Sequence, residues 1–266
     1  MKPGSSTFAA FFTIAVMITA LAQTNDQPVR RRSANRLALD DPASMQEVKG
    51  KEFTFARLVY SGGSGWRYGA WATDAPKADV TFIAGIKRLT NLDIRDSQFF
   101  IPLTSKDIFK YPFLYAVEVG YLDLSTQEAD ILREYILRGG FFVVDDFHGT
   151  HEWANFEEQI RKVFPACKIE ELPLSHPIFH CFFDVEELIQ VPGAQMLYSG
   201  VTYEKDGYDP HFRGIFDETG RLLVMINFNS DLGDAWEWAD VPYYPEKYSS
   251  AAYRLGIDYI VYSMTH

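Results

Sequence analysis

Residues 139–144, Gly-Gly-Phe-Phe-Val-Val, constrain the fold more than any other segment. Four apolar residues in succession, without alternation, describe a strand covered on both faces, and a covered strand needs helices to cover it. The chain supplies them on either side. Ser125-Thr-Gln-Glu128 is a capping box, and the helix it opens is stopped by Gly139-Gly140. Downstream, Trp153, Phe156, Ile160 and Val163 recur at helical spacing. The alternation continues elsewhere. Residues 53–60 read as a strand closed by Ser61-Gly62-Gly63-Ser64-Gly65. Ala75-Pro76 opens a helix striped by Val80, Ile83, Ile86 and Leu89. Residues 98–102 and 113–119 read as short strands, residues 222–228 as a second buried one, and Ala252, Leu255, Tyr259 and Ile260 as a closing helix. Strands alternating with helices predict an α/β fold with a doubly wound, mostly parallel sheet, whose sites form beyond the carboxyl ends of the strands.

The N-terminus reads as an address. Lys2 precedes an apolar stretch at residues 8–21, and Ala20-Leu21-Ala22 fits signal-peptidase cleavage before Gln23. The expected organisation is a signal peptide at 1–22, a polar linker at 23–50 and one folded domain at 51–266. The chain is then exported, to a periplasmic or extracellular location. The alternative is a membrane anchor at 8–21, although that stretch is short for a span. With 36 acidic against 25 basic residues and a net charge of −11, the chain repels phosphate backbones, so nucleic acid is not an expected partner. Cys167 and Cys181 either form one bridge in an oxidising compartment or act as two buried thiols.

Five stretches carry candidate chemistry. Asp145-Asp146-Phe147-His148-Gly149-Thr150-His151 follows the buried strand directly. Its two carboxylates and two imidazoles suit acid–base work or a divalent cation, although the spacing matches no zinc signature; helix and loop capping is the competing explanation. His176, in Ser175-His176-Pro177, reaches toward this cluster or lies buried in a turn. Asn227-Phe-Asn229-Ser-Asp231-Leu-Gly233-Asp234-Ala-Trp236-Glu237-Trp238 starts like a calcium loop but has Leu232 at the required glycine and Trp238 at the last ligand position. What remains is Asp231, Asp234 and Glu237 beside Trp236, a combination suited to polyols or sugars, or a loop pinned by its indoles. The glycine loop through Trp66 departs from G-x-G-x-x-G at Tyr68 and reads as a turn. Tyr243, Tyr244 and Tyr248, between and after two prolines, make either a rim or a packed cover.

The order Gly139-Gly140-Phe-Phe-Val-Val-Asp145-Asp146-Phe-His148-Gly149, then His176-Pro177-Ile178-Phe179, Gly233-Asp234-Ala-Trp236-Glu237 and Gly256-Ile257-Asp258-Tyr259 resembles the DUF4159 family over residues 52–266. The resemblance implies a class I glutamine amidotransferase-like, flavodoxin-like fold and brings no reaction. Active amidotransferases hold a nucleophilic Cys in a G-x-C-x-G elbow. Aligning Gly149 with the last elbow glycine puts Phe147 at the nucleophile position, and Phe cannot attack a carbonyl.

The leading expectation is an exported domain that binds a small-molecule, carbohydrate or protein ligand at the strand ends, using Asp145, Asp146, His148, His151, His176, Asp231, Asp234, Trp236 and Glu237. The alternative is a hydrolase acting on envelope carbohydrate or peptide, with a divalent metal as its possible cofactor. A third is an interaction module presenting Tyr243, Tyr244 and Tyr248. All require the acidic segments near 146 and 234 to meet at one edge of the sheet.

Overall fold

In a computed structural model, the described residues are Met1, 52–63 and 69–266. The rest of the expected export segment and linker, and the glycine-loop residues Ser64, Gly65 and Trp66, lie outside them. Seven strands form one sheet: β1 (Ala56–Val59), β2 (Phe99–Pro102), β3 (Phe113–Val117), β4 (Phe141–Asp145), β5 (Ile169–Glu171), β6 (His211–Phe216) and β7 (Leu222–Phe228). Their spatial order is β2-β1-β3-β4-β7-β6-β5. The first five in that order pair in parallel, whereas β6 runs antiparallel to β7 and β5 antiparallel to β6. The fold is thus mixed α/β with a mostly parallel sheet.

Among the described residues, six α-helices accompany the sheet: α1 (Lys77–Leu89), α2 (Thr126–Leu137), α3 (Gly149–Val163), the short α4 (Ala194–Leu197) and α5 (Leu232–Glu237), and α6 (Glu246–Thr265). The pleat divides the core. Phe141 and Val143 of β4 join Phe82 and Ile86 of α1 and Ile260 of α6. Phe142 and Val144 join Leu132 and Ile136 of α2 and Phe156 and Ile160 of α3. The apolar run is therefore buried on both faces, the reason it could dispense with alternation. The capping box is formed, with the Ser125 hydroxyl accepting from the Glu128 backbone and the Glu128 carboxylate accepting from the Ser125 backbone.

Several expectations change in detail. The first strand is shorter than residues 53–60. In α1 the buried apolar positions are Ala78, Phe82, Ile83 and Ile86, while Val80 and Leu89 are exposed. Residues spaced three apart drift around a 3.6-residue helix, so a stripe of threes keeps only its middle members inside. The strands β5 and β6 and the helices α4 and α5 have no counterpart in the sequence pattern. Cys167 and Cys181 are free thiols. Among the described residues, no helix is long and apolar enough to cross a membrane.

Candidate functional site

The chain leaves β4 at Asp145 and turns at Asp146, whose φ of 54° lies in the left-handed region. That turn aligns it with the exits of β3 and β7. The Asp146 amide donates to the Ser230 carbonyl (3.0 Å), the Asn229 amide to the Phe147 carbonyl (3.0 Å), and the Glu118 amide to the carbonyls of Asp145 and Asp146. The two acidic segments therefore meet at the carboxyl edge. Asp231 then caps α5, its Oδ1 accepting from the Asp234 amide at 2.6 Å. Beneath that helix start, Asp145 Oδ2 accepts from the Tyr115 hydroxyl (2.7 Å) and from the amides of Leu232 and Gly233.

A further carboxylate arrives from the β1–α1 connection. Arg57, fully buried on β1, forms an ion pair with Asp79 of α1 at 2.8 Å and donates to the carbonyls of Trp71 and Thr73. This fixes the segment that ends in Asp74. One oxygen from each of Asp74, Asp146 and Asp231 lies within 4.8 Å of the others, and a second such group joins Asp74, Asp234 and Glu237. Gly233 makes the approach possible: a Cβ there would stand 2.6 Å from Asp74 Oδ2.

The electrostatics are one-sided. Burial, reinforced by neighbouring carboxylates, pushes Asp74, Asp146 and Asp231 well above the usual carboxylate range. Burial pushes Asp145 up to about 7 despite its three donors, and burial with Asp146 pushes Glu118 up to about 10. His148 Nε2 lies 3.2 Å from Asp146 Oδ1, but burial holds this imidazole down to about 4, so it is neutral near pH 7. Lys205 is paired with Glu152, and Arg57 with Asp79. Three enclosed polar atoms have no hydrogen-bond partner here: Asp74 Oδ2, Asp145 Oδ1 and His148 Nδ1. Among the described residues, the non-glycine positions with left-handed φ are Asp74, Glu118, Asp146, Lys205 and Asn229. Each belongs to this edge or the loop packed on it, where backbone strain commonly accompanies function.

The turn at residues 147–150, where the alignment above places an amidotransferase elbow, is closed. Phe147 is fully buried, its ring 5.0 Å from those of Phe156 and Phe228. The backbone amides that follow Phe147 are taken: His148, the amide that would serve an oxyanion after a nucleophile at 147, donates to Glu152 (2.6 Å), Gly149 to the Asn229 side chain (2.9 Å) and Thr150 to Asp206 (2.9 Å). Gly149 has φ 76°, and a Cβ there would stand 2.0 Å from Asp206 Oδ1.

Of the residues expected at the site, Asp145, Asp146, His148, Asp231, Asp234 and Glu237 come together. Three do not. His151 points to solvent from α3. His176 caps its own turn by accepting from the Ile178 amide and packs near Phe216 and Tyr262, at the edge where β7 begins. Trp236 is core, stacked on Phe82 at 4.0 Å, because α5 turns its indole inward. Asp234 accepts from the Ala194 amide and from the Trp238 indole, which ties the loop down. Tyr244 and Tyr248 are buried, and only Tyr243 of that trio is exposed. Asp74 and Glu118 were missed. Glu118 follows β3 just as Asp146 follows β4, so the strand-end rule contained it; Asp74 lies in no recognisable motif.

The family model described as "Domain of unknown function (DUF4159)" matches residues 54–264. No curated protein matches the chain.

Proposed function

The chain belongs to the DUF4159 family, and from that premise we propose a domain that binds a ligand at the carboxyl edge of its sheet without glutaminase chemistry. The ligand brings positive charge to Asp74, Asp146 and Asp231. The fold reading that supports this is flavodoxin-like: the parallel order β2-β1-β3-β4-β7 follows the five-strand doubly wound order, with its switch point between β1 and β3. Asp74 follows β1 and Glu118 follows β3, so the acids lie in the crevice where such folds bind.

One observation carries the reading. At the turn aligned with the elbow, the nucleophile position is a core Phe and the amide that follows it, His148, is held by Glu152. Acyl transfer needs an attacking group and free donors together, and neither is offered. The hydrolase alternative fares less well on geometry. Glycosidase carboxyl pairs stand about 5 to 9.5 Å apart and flank an open cleft, whereas Asp146 and Asp231 are buried and converge with Asp74 within 4.8 Å. The apolar stretch at residues 8–21 supports binding outside the cytoplasm after export.

The test is ammonia release from glutamine, together with a screen of chromogenic glycoside and peptide substrates. Background rates are expected throughout. Turnover that disappears in Asp146→Asn would overturn the binding reading.

A further inference from the structure

Resting on that reading and deepening it, we propose that the positive charge is a hard divalent cation of the Mg2+, Ca2+ or Mn2+ class, held by Asp74, Asp146 and Asp231. Convergence of carboxylates alone would not carry this. The second observation is the state of the atoms around them. Asp74 Oδ2 is enclosed, has no hydrogen-bond partner, and lies over Gly233. Asp145 beneath is completely buried with Oδ1 equally unmatched. A buried carboxylate oxygen that accepts nothing costs free energy, and a cation shared with Asp146 and Asp231 satisfies Asp74 Oδ2.

The donor set selects the ion class. All three ligands are carboxylate oxygens, which suit hard cations. His148 Nε2 is directed at Asp146 Oδ1, an orienting contact behind a ligand rather than a fourth donor. Neither cysteine belongs to the group. Asp74 is partly exposed while Asp146 and Asp231 are buried, so the ion reaches the site from the Asp74 side.

The experiment uses the full chain, stripped with EDTA and dialysed against Ca2+, Mg2+ or Mn2+ at about 1 mM, the weak end of protein calcium sites, followed by elemental analysis and thermal unfolding. The expected result is about one ion per chain for at least one metal, with a rise in Tm. Asp146→Asn and Asp231→Asn keep the carboxamide shape and remove charge; they are expected to fold, to be at least as stable as the stripped wild type, and to lose the ion. Gly233→Ala, which sets a methyl against Asp74 Oδ2, is expected to weaken binding roughly 10-fold, and decides the matter if the Asn variants misfold. Glu158→Gln, exposed on α3, leaves binding unchanged. Absence of any bound ion overturns the inference, as does an ion retained in both Asn variants or in Gly233→Ala at full affinity. Spermidine, an organic polycation, separates this failure from that of the underlying reading. If spermidine alone raises Tm, and Asp146→Asn abolishes the rise, the metal is wrong and the pocket stands; if neither probe binds, both are wrong.

Discussion

Arg57–Asp79 and Asp74–Asp146–Asp231 are two enclosed charge groups joined by a short stretch of chain, and they are organised in opposite ways. In the first, a guanidinium meets a carboxylate through several hydrogen bonds, and its remaining donors go to backbone carbonyls. The group is neutral and closed. In the second, carboxylates face one another with a neutral imidazole for company. The first is what a chain builds to hold a segment in place. The second is tolerated only where protons or a ligand supply the missing charge.

The sharpest way to break the comparison is Arg57→Met. It strands a buried Asp79 and is expected to cost about 3–5 kcal/mol in urea unfolding, with much of that recovered in the double variant Arg57→Met/Asp79→Leu. A loss below about 1 kcal/mol would mean that the closed group is not structural. Asp146→Asn should act in the other direction, raising metal-free stability at neutral pH by on the order of 1 kcal/mol or more, because folding no longer has to neutralise a carboxylate whose buried pKa is raised; a clear loss would contradict the charge assignment. Ser125→Ala removes half of a capping box far from both groups. It should cost about 1 kcal/mol and leave cation response unchanged, which calibrates the other two. The smallest effect concerns Asp258 of α6, whose Oδ1 accepts from the amides of Phe182 and Phe183, near His180 and Asp184. Burial pushes it up to about 6. The folded chain then holds this proton to higher pH than the unfolded chain, so stability should fall as pH rises through that range. Asp258→Asn should flatten this part of the profile, and an unchanged slope would assign it elsewhere.

What could be read in advance follows from how local each signal is. Ser125 to Val144 was legible because the cap, the glycine stop and the apolar run each act over a few residues. Strand β6 was not: Arg213 and Gly214 interrupt its pattern, and Arg213 is accommodated by lying over the Trp153 ring at 4.4 Å. The meeting of the acidic segments near 146 and 234 followed from two buried strands that each run into an acidic loop. The third carboxylate did not, since Asp74 is placed by Arg57 reaching across from β1, a tertiary contact with no sequence periodicity. For Trp236 the composition leaves a ligand contact and a loop pinned by its indole both open, and the indole is core; six helical residues are too few for periodicity to show which way it turns.

The grip of Arg57 on the 71–73 backbone has a consequence for how the site comes apart. Asp146 and Asp231 ride on paired central strands, whereas Asp74 belongs to the first βα unit and is held by that unit's own ion pair. Detaching the unit removes one corner while β4 and β7 stay zipped together. For a ligand of the kind proposed, occupancy would therefore be thermodynamically linked to docking of the first βα unit: an ion settling among the three acids would also fasten the amino-terminal part of the domain to its centre.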